Sequence, residues 1–274
     1  MILLVASKKD QASINIAKQI IENYSFENRT WKNGETQVYV GREGKQEITL
    51  IIINEELVYA QNVTDFSLAP ELIIFLSRHS SESGIPTLSV HTPGNLGKAS
   101  LGGIPRRLSI SPANAMRTAL KAMAQLVGNR GLSYKVSYEC THHGPSLDRP
   151  AMFVELGSSP KQWADHAAAK VIANAVMETI ASFGKSEAQA ALGIGGPHYN
   201  EKFTKIALEN NIAFGHVIPK YAVSEVDEEI LRQCVERTLE RVEVALLDWK
   251  GIRGEDKQRL IGMLENLNLK IQKV

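Results

Sequence analysis

Imidazole titrates close to neutrality, and when neutral it binds a divalent metal through one nitrogen while a neighbouring acceptor holds the other. The chain carries seven histidines: His79, His91, His142, His143, His166, His198 and His216. Most stand at or near the ends of segments that read as strands. His91 opens His-Thr-Pro-Gly-Asn, and His142 and His143 lie in Glu-Cys-Thr-His-His-Gly-Pro. His198 lies in Gly-Ile-Gly-Gly-Pro-His-Tyr, and His216 in Phe-Gly-His-Val-Ile-Pro-Lys-Tyr. In open α/β sheets ligands bind where the loops converge at the carboxyl ends of strands, so separate histidine loops can meet there. A catalytic zinc needs three protein ligands and an open position. The sequence offers His142 or His143, His198 and His91, with Glu139 and Glu155 as carboxylates on neighbouring strands. Glu155 interrupts the apolar run Met-Phe-Val-Glu-Leu, and a buried carboxylate needs a partner.

The plainer reading of a lone histidine is a hydrogen-bonded loop or core residue, and it is the preferred one for His79 and His166. Strand alternation is expected to send His142 and His143 to opposite faces. Cys140 reads as a small buried apolar group outside the site.

Two glycine-rich stretches add backbone donors. The run from Gly94 to Arg107 holds four glycines with Lys98, Ser100, Arg106 and Arg107, a composition that lets amides and cations approach a phosphodiester. It leads to a helix carrying Arg117 and Lys121. The alternative is an ordinary solvated loop. It is not a P-loop, because the glycine spacing is wrong and Ala99 stands where Ser or Thr is required. The second, Gly193-Ile-Gly-Gly-Pro-His-Tyr, runs from a strand into a helix, which suits an oxyanion site at the amides of Gly195 and Gly196 or simply a tight turn. Lys220 and Lys250 either add charge to the site or are surface lysines, and Lys250 reads as surface.

The elements that must carry these loops are legible as short β-branched or apolar runs. Strands are expected at Ile2 to Val5, Thr36 to Val40, Ile48 to Ile53, Thr87 to His91, Tyr134 to Cys140, Met152 to Leu156, Ala190 to Ile194 and Ile212 to Val217. Helices are expected from Ser111 to Gly128 with Pro112 as first helical residue, from Ser159 and Pro160 to about Gly184, and from Asp227 through Leu231, Val235, Leu239 and Val242. Strands alternating with helices imply a three-layer α/β/α fold with a mixed, mostly parallel sheet. One domain spanning 1–274 is expected, with room for a small accessory lobe within 92–150.

Thirty-one basic residues balance thirty acidic ones, so no global field draws the chain onto nucleic acid: contact with DNA is not expected, and contact with RNA must be local. The two cysteines lack metal-type spacing, which points to a reducing compartment, the cytoplasm. No apolar run approaches the eighteen or so residues that a membrane span requires, so no membrane partner is expected.

Taken together, His-Thr-Pro-Gly-Asn at 91–95, Thr-His-His-Gly-Pro at 141–145, Gly-Gly-Pro-His-Tyr at 195–199, Gly-His-Val-Ile-Pro-Lys-Tyr at 215–221 and Asp-Trp-Lys-Gly at 248–251 resemble the archaeal and plant type of D-aminoacyl-tRNA deacylase. The blocks cover nearly the whole chain. The resemblance implies a fold related to the phosphorylase and peptidyl-tRNA hydrolase group, and a zinc-associated esterase that removes D-amino acids from mischarged tRNA. On that reading zinc is held by histidines of the 142–143 and 198 loops, with His142, His198 and Glu155 as first choice. His91, His143 and Glu139 serve the reaction, with Glu139 or a spare histidine protonating the ribose oxygen and Gly195 and Gly196 holding the oxyanion. Lys98, Arg106, Arg107 and Arg117 grip acceptor-end phosphates. A monomer is expected. The competing readings are a zinc aminopeptidase or amidase on a similar fold and a non-catalytic tRNA-binding module.

Overall fold

The computed structural model describes residues 1–30, 36–65, 69–185 and 187–274. Eight strands form the larger sheet: β1 (Ile2–Ser7), β2 (Phe26–Thr30), β3 (Gln37–Glu43), β4 (Gln46–Ile53), β5 (Leu72–Ser80), β6 (Thr87–His91), β7 (Lys135–Tyr138) and β8 (Ala151–Ser158), in the order β2-β3-β4-β1-β5-β8-β6-β7. The pairs β4-β1-β5-β8 and β6-β7 are parallel, whereas β2-β3-β4 and β8-β6 are antiparallel. The expected mixed, mostly parallel sheet flanked by helices is therefore present. A second sheet joins it, built from β9 (Gln189–Ile194), β10 (Ile212–Ile218), β11 (Val242–Leu247) and β12 (Lys270–Lys273), all parallel in the order β10-β9-β11-β12.

The helices are α1 (Gln11–Asn23), α2 (Ala113–Asn129), α3 (Pro160–Trp163), α4 (His166–Ser182), α5 (Glu201–Glu209), α6 (Glu228–Glu236) and α7 (Gly254–Asn266). Helices α1, α2 and α4 bury Ile16, Ile20, Met116, Leu120, Val171 and Val176 against one face of the large sheet, and the same core continues to Phe203, Phe214 and Val244 beside the small sheet. Helices α6 and α7 bury Ile230, Leu231, Leu260 and Leu264 in a second core with Leu192, Ile218 and Leu247 of the small sheet. The other face of the large sheet is covered by two short 3-10 helices (Leu57–Tyr59 and Val63–Asp65) and by loops, with Leu57, Val63 and Leu147 over Leu3, Val5, Phe75 and Phe153.

Three helix boundaries differ from the periodic pattern, each for a tertiary reason. Helix α2 begins at Ala113 with Pro112 outside it. Its first amides, of Ala113 and Asn114, donate to the Glu240 carboxylate at 2.9 Å each, while Ser111 accepts a hydrogen bond from Thr92 Oγ1 and caps nothing. The stretch from Pro160 is two helices, because Asp165 accepts from the amides of Ala167 and Ala168 and starts α4 afresh. The helix from Asp227 stops at Glu236, since Ser111 pairs with Arg237 and Leu239 through backbone bonds, and Val242 opens β11.

Candidate active site

Along β5, β8 and β6 the sheet face under Leu57 and Leu147 changes character. Residues two apart on a strand share a face. Ile73, Phe75, Ser77 and His79 thus line up beside Ala151, Phe153 and Glu155, with Phe75 opposite Phe153 and Ser77 opposite Glu155. On the other side Glu155 pairs in register with Ser89, and Phe153 with His91. The Phe75 and Phe153 rings stack at 4.6 Å, and His91 stacks on Phe153 at 5.0 Å. An apolar floor thus gives way to a polar one of His79, Glu155 and His91.

The chain leaving β7 lowers its own groups onto this floor. Glu139 to Thr141 is tied to the second sheet: Cys140 N donates to His198 O, and Thr141 N to Val217 O. His216 fixes this segment from behind, with Nδ1 3.1 Å from Thr141 Oγ1 and Nε2 3.0 Å from Arg237 O. At His143 φ is +42°, a left-handed conformation that costs energy for a residue with a Cβ. It breaks the strand alternation that would have sent His142 and His143 apart, and their rings stand 4.1 Å from each other on one side. The next residue is Gly144 for a packing reason, since a Cβ there would lie 2.1 Å from Gly103 N. The glycine-rich loop after Gly94 is therefore the seat of the histidine turn.

The groups converge. His79 Nδ1 lies 3.1 Å from Glu139 Oε1, out of line for a hydrogen bond, and 3.5 Å from Glu155 Oε2. Glu155 Oε1 is 3.6 Å from His91 Nε2, and Glu139 Oε2 is 3.0 Å from His198 Nε2 and 3.7 Å from His142 Nε2. His198 Nδ1 faces Tyr221 Oη at 3.0 Å and Cys140 Sγ at 3.1 Å. Burial opposes a charge on His79, but Glu139 and Glu155 outweigh it and push its pKa up to about 10. Burial is likewise overcome at His198, which Cys140 and Glu139 push up to about 10. Burial would raise the carboxyl of Glu139, yet His198 and His79 hold it well below the ordinary range, and His79 and His91 depress Glu155 in the same way. Desolvation, then the neighbouring imidazoles, keep His142 neutral, and desolvation with His91 brings His143 down to about 4. A cavity of about 460 Å³ opens over these groups, walled by Leu57, Val58, Arg78, Leu101 and Tyr199.

Three groups of side chains here bring their donor atoms close enough together to share a metal ion. His142 Nδ1 donates to Cys140 O at 2.8 Å and His143 Nδ1 to Gly144 O at 3.0 Å, which leaves each Nε2 with a free lone pair. Both ring nitrogens of His91 are buried without a hydrogen-bond partner. One nitrogen from each of the three lies within 4.8 Å of the others. Two further groups meet the same limit: Cys140 with His142 and His198, and His79 with Glu139 and Glu155.

Set against the expectations, His91, His142, His143, His198, Glu139 and Glu155 come together at one centre. Glu155 groups with His79 and Glu139 rather than with His142 and His198, because β8 carries it between His79 and His91. Gly195 and Gly196 do take positive φ, +101° and +77°. They are not among the residues lining the cavity, and the Gly195 amide is spent on Ile218 O at 2.8 Å, so it offers nothing to an oxyanion. Arg106 pairs with Asp227 and Arg107 with Asp148, both at 2.7 Å. Arg117 donates to the carbonyls of Ala207 and Asn210 at the end of α5. Lys98 is exposed on a neighbouring cleft. His166 holds Asn15 Oδ1 at 2.9 Å, away from the centre.

Sequence reasoning missed His79, Cys140, Tyr199 and Tyr221. The signal available for His79 was the continuous apolar run Leu72–Leu76, which opens the strand that carries it.

An α/β sheet face bearing buried imidazole–carboxylate pairs beneath an open cavity is the arrangement of an enzyme that moves protons at a fixed centre. Comparison with known proteins identifies which. The family model for D-aminoacyl-tRNA deacylase matches residues 66–272. The D-aminoacyl-tRNA deacylase of Thermococcus kodakarensis is 38% identical over 275 residues, 98% of each chain, and that of Pyrococcus furiosus is 38% identical over 279 residues, the whole of each. The crystal structure of a conserved protein of unknown function, AF0625, superposes with a TM-score of 0.91 at 30% identity, covering 100% of this chain and 95% of that one. The chain belongs to the D-aminoacyl-tRNA deacylase family and is an ester hydrolase.

Proposed function

We propose that hydrolysis of the D-aminoacyl-tRNA ester, the reaction of this family, takes place where the His142, His143 and His198 rings meet the cavity, with the buried His91 ring packed against the first two. It releases a free D-amino acid and tRNA, a proofreading reaction at home in the cytoplasm. The observation that carries the reading is His91: two buried, unpartnered ring nitrogens beside two imidazoles whose outer nitrogens are already oriented by carbonyls. Leaving buried polar atoms unmet costs about 1–3 kcal/mol each, so such atoms point to a ligand. His91, His142 and His143 would hold zinc, which when bound supplies Lewis acidity to the ester carbonyl.

The remaining steps belong to the chain. Glu139 is ionised and buried, so its part is to hold His198 by Nε2 rather than to give up a proton. Water adds to the ester carbonyl carbon, and as the bond from that carbon to the ribose oxygen breaks, His198, at the cavity wall, delivers a proton to the ribose oxygen and regains one from the added water. Its positive charge also offsets negative charge developing on the carbonyl oxygen. His79, clamped by Glu139 and Glu155, neutralises the second carboxylate and keeps both in place. Leu57, Val58 and Tyr199 give the aminoacyl side chain an apolar wall, and Lys98 offers a cation to the RNA.

The test is ester loss from matched D- and L-tyrosyl-tRNA with the native enzyme, the chelated enzyme and the chelated enzyme given zinc. Loss of the D-ester that stops on chelation and returns with zinc is the expected result. Undiminished loss after complete metal removal, verified by elemental analysis, would reject the three-histidine site.

A further inference from the structure

Two clefts, not one, meet at the histidine pair. Besides the cavity over His79, a second cleft of about 450 Å³ lies on the far side of His142, His143 and Leu101, which line both. Its wall is made by Leu96, Lys98, Pro219 and Tyr221, with Glu225 at the end near Gly97. Tyr221 is 58% exposed, the most open large hydrophobic side chain among the described residues. It is nonetheless anchored, because its hydroxyl sits 3.0 Å from His198 Nδ1 and 3.5 Å from Cys140 Sγ. An exposed ring fixed at its polar tip is a stacking platform, since every base has a face that such a ring accepts. Lys98 stands on the same cleft with no side-chain partner among the described residues, whereas Arg106 and Arg107 beside it are paired.

We propose that this second cleft is the subsite for the terminal nucleoside of the RNA, with the 3′ adenine stacked on Tyr221 and the phosphate behind it near Lys98. The ester then spans the histidine pair, with the aminoacyl group in the His79 cavity and the ribose next to His198. The occupant follows from the order of groups: a planar apolar surface next to the proton donor, then a free cation farther out. The inference rests on the reading that the ester reacts at these histidines.

The test uses full-length protein and deacylated tRNA whose terminal adenine is replaced by 2-aminopurine, a base whose fluorescence falls when it stacks. Tyr221→Phe keeps the ring and loses only the hydroxyl; Tyr221→Leu loses the ring. Wild type and Tyr221→Phe are expected to quench the probe alike. Tyr221→Leu is expected to leave it bright at saturating protein and to raise KM for D-tyrosyl-tRNA by about ten-fold or more, with a smaller effect on kcat. Circular dichroism establishes that the variant is folded. Equal quenching by folded Tyr221→Leu, or none by wild type that hydrolyses D-tyrosyl-tRNA, overturns the subsite. Failure of the parent reading shows elsewhere, as hydrolysis that survives substitution of His91, His142 and His143.

Discussion

His198 Nε2 lies 3.0 Å from Glu139 Oε2, and that contact joins the two sheets at the reacting centre. Glu139 follows β7 of the large sheet, whereas His198 follows β9 of the small one. Glu139 is 3% exposed, so the imidazole is oriented by a carboxylate that is almost wholly covered at the base of the cavity. The small sheet thus acts as a holder that presents one histidine to a site built on another sheet.

Glu139→Gln keeps the volume of the side chain but removes the charge that holds His198 and His79. Activity with D-tyrosyl-tRNA is expected to fall about 10²- to 10⁴-fold, the range typical of a positioned proton-transfer group. His198→Ala is expected to fall as far, and the double variant no further than either, because groups acting as a unit are not additive. Additive losses in single-turnover kinetics would show that the two residues act separately.

His91 makes stability and function oppose each other. In metal-free protein its unpaired nitrogens are a liability, so His91→Leu is expected to raise the unfolding free energy of metal-free protein by about 1 kcal/mol. The same change is expected to abolish stoichiometric zinc binding. Urea unfolding after chelation, together with metal analysis of the untreated variant, checks both; a destabilised variant that still binds zinc would contradict the assignment.

How much of this was legible in the sequence depends on the range of the cause. The histidine loops and the strands ending in them were readable because Gly, Pro and β-branched residues punctuate them locally. His79 was not, since the run Leu72–Leu76 marks a strand buried on both faces but carries no alternation to show which face the residues after it occupy. Strands β9 and β10 of the small sheet were readable, but β11 escaped because the helical period of Asp227 to Val242 runs on past Glu236, and only contact with Ser111 stops it. The same-side placement of His142 and His143 depends on one left-handed residue, and a histidine gives no local sign of that. The cations of the glycine-rich loop looked alike in sequence; which of them are paired is decided by Asp148 and Asp227, far along the chain.

His216 makes stability depend on pH. It is fully buried between Thr141 and the Arg237 carbonyl, and burial, aided by the Arg237 charge, brings its pKa down to about 4. The unfolded chain, with an ordinary pKa near 6.5, takes up the proton first. Its contribution is therefore present above about pH 6.5 and is lost as pH falls towards 4, in total about 3 kcal/mol. Wild type is expected to lose that much more than His216→Gln across this window, measured by urea unfolding of chelated protein. Parallel pH profiles would show that His216 is not the titrating group.

Lys98 and Arg117 are both cations of the 94–121 region, and the structure gives them different work. Arg117 caps the end of α5 through the carbonyls of Ala207 and Asn210 at 3.1 and 2.7 Å, where a positive charge also suits the helix dipole. Arg117→Ala is expected to cost about 1–2 kcal/mol in urea unfolding and to leave KM for D-tyrosyl-tRNA unchanged. Lys98→Ala is expected to do the reverse: no loss of stability, weaker tRNA binding, and a plot of log K against log salt that is shallower by about 0.7, the value of one single-strand phosphate contact. A salt slope that Lys98→Ala leaves unaltered would remove this lysine from the RNA path, and an Arg117→Ala variant with normal stability but weakened binding would put Arg117 there instead.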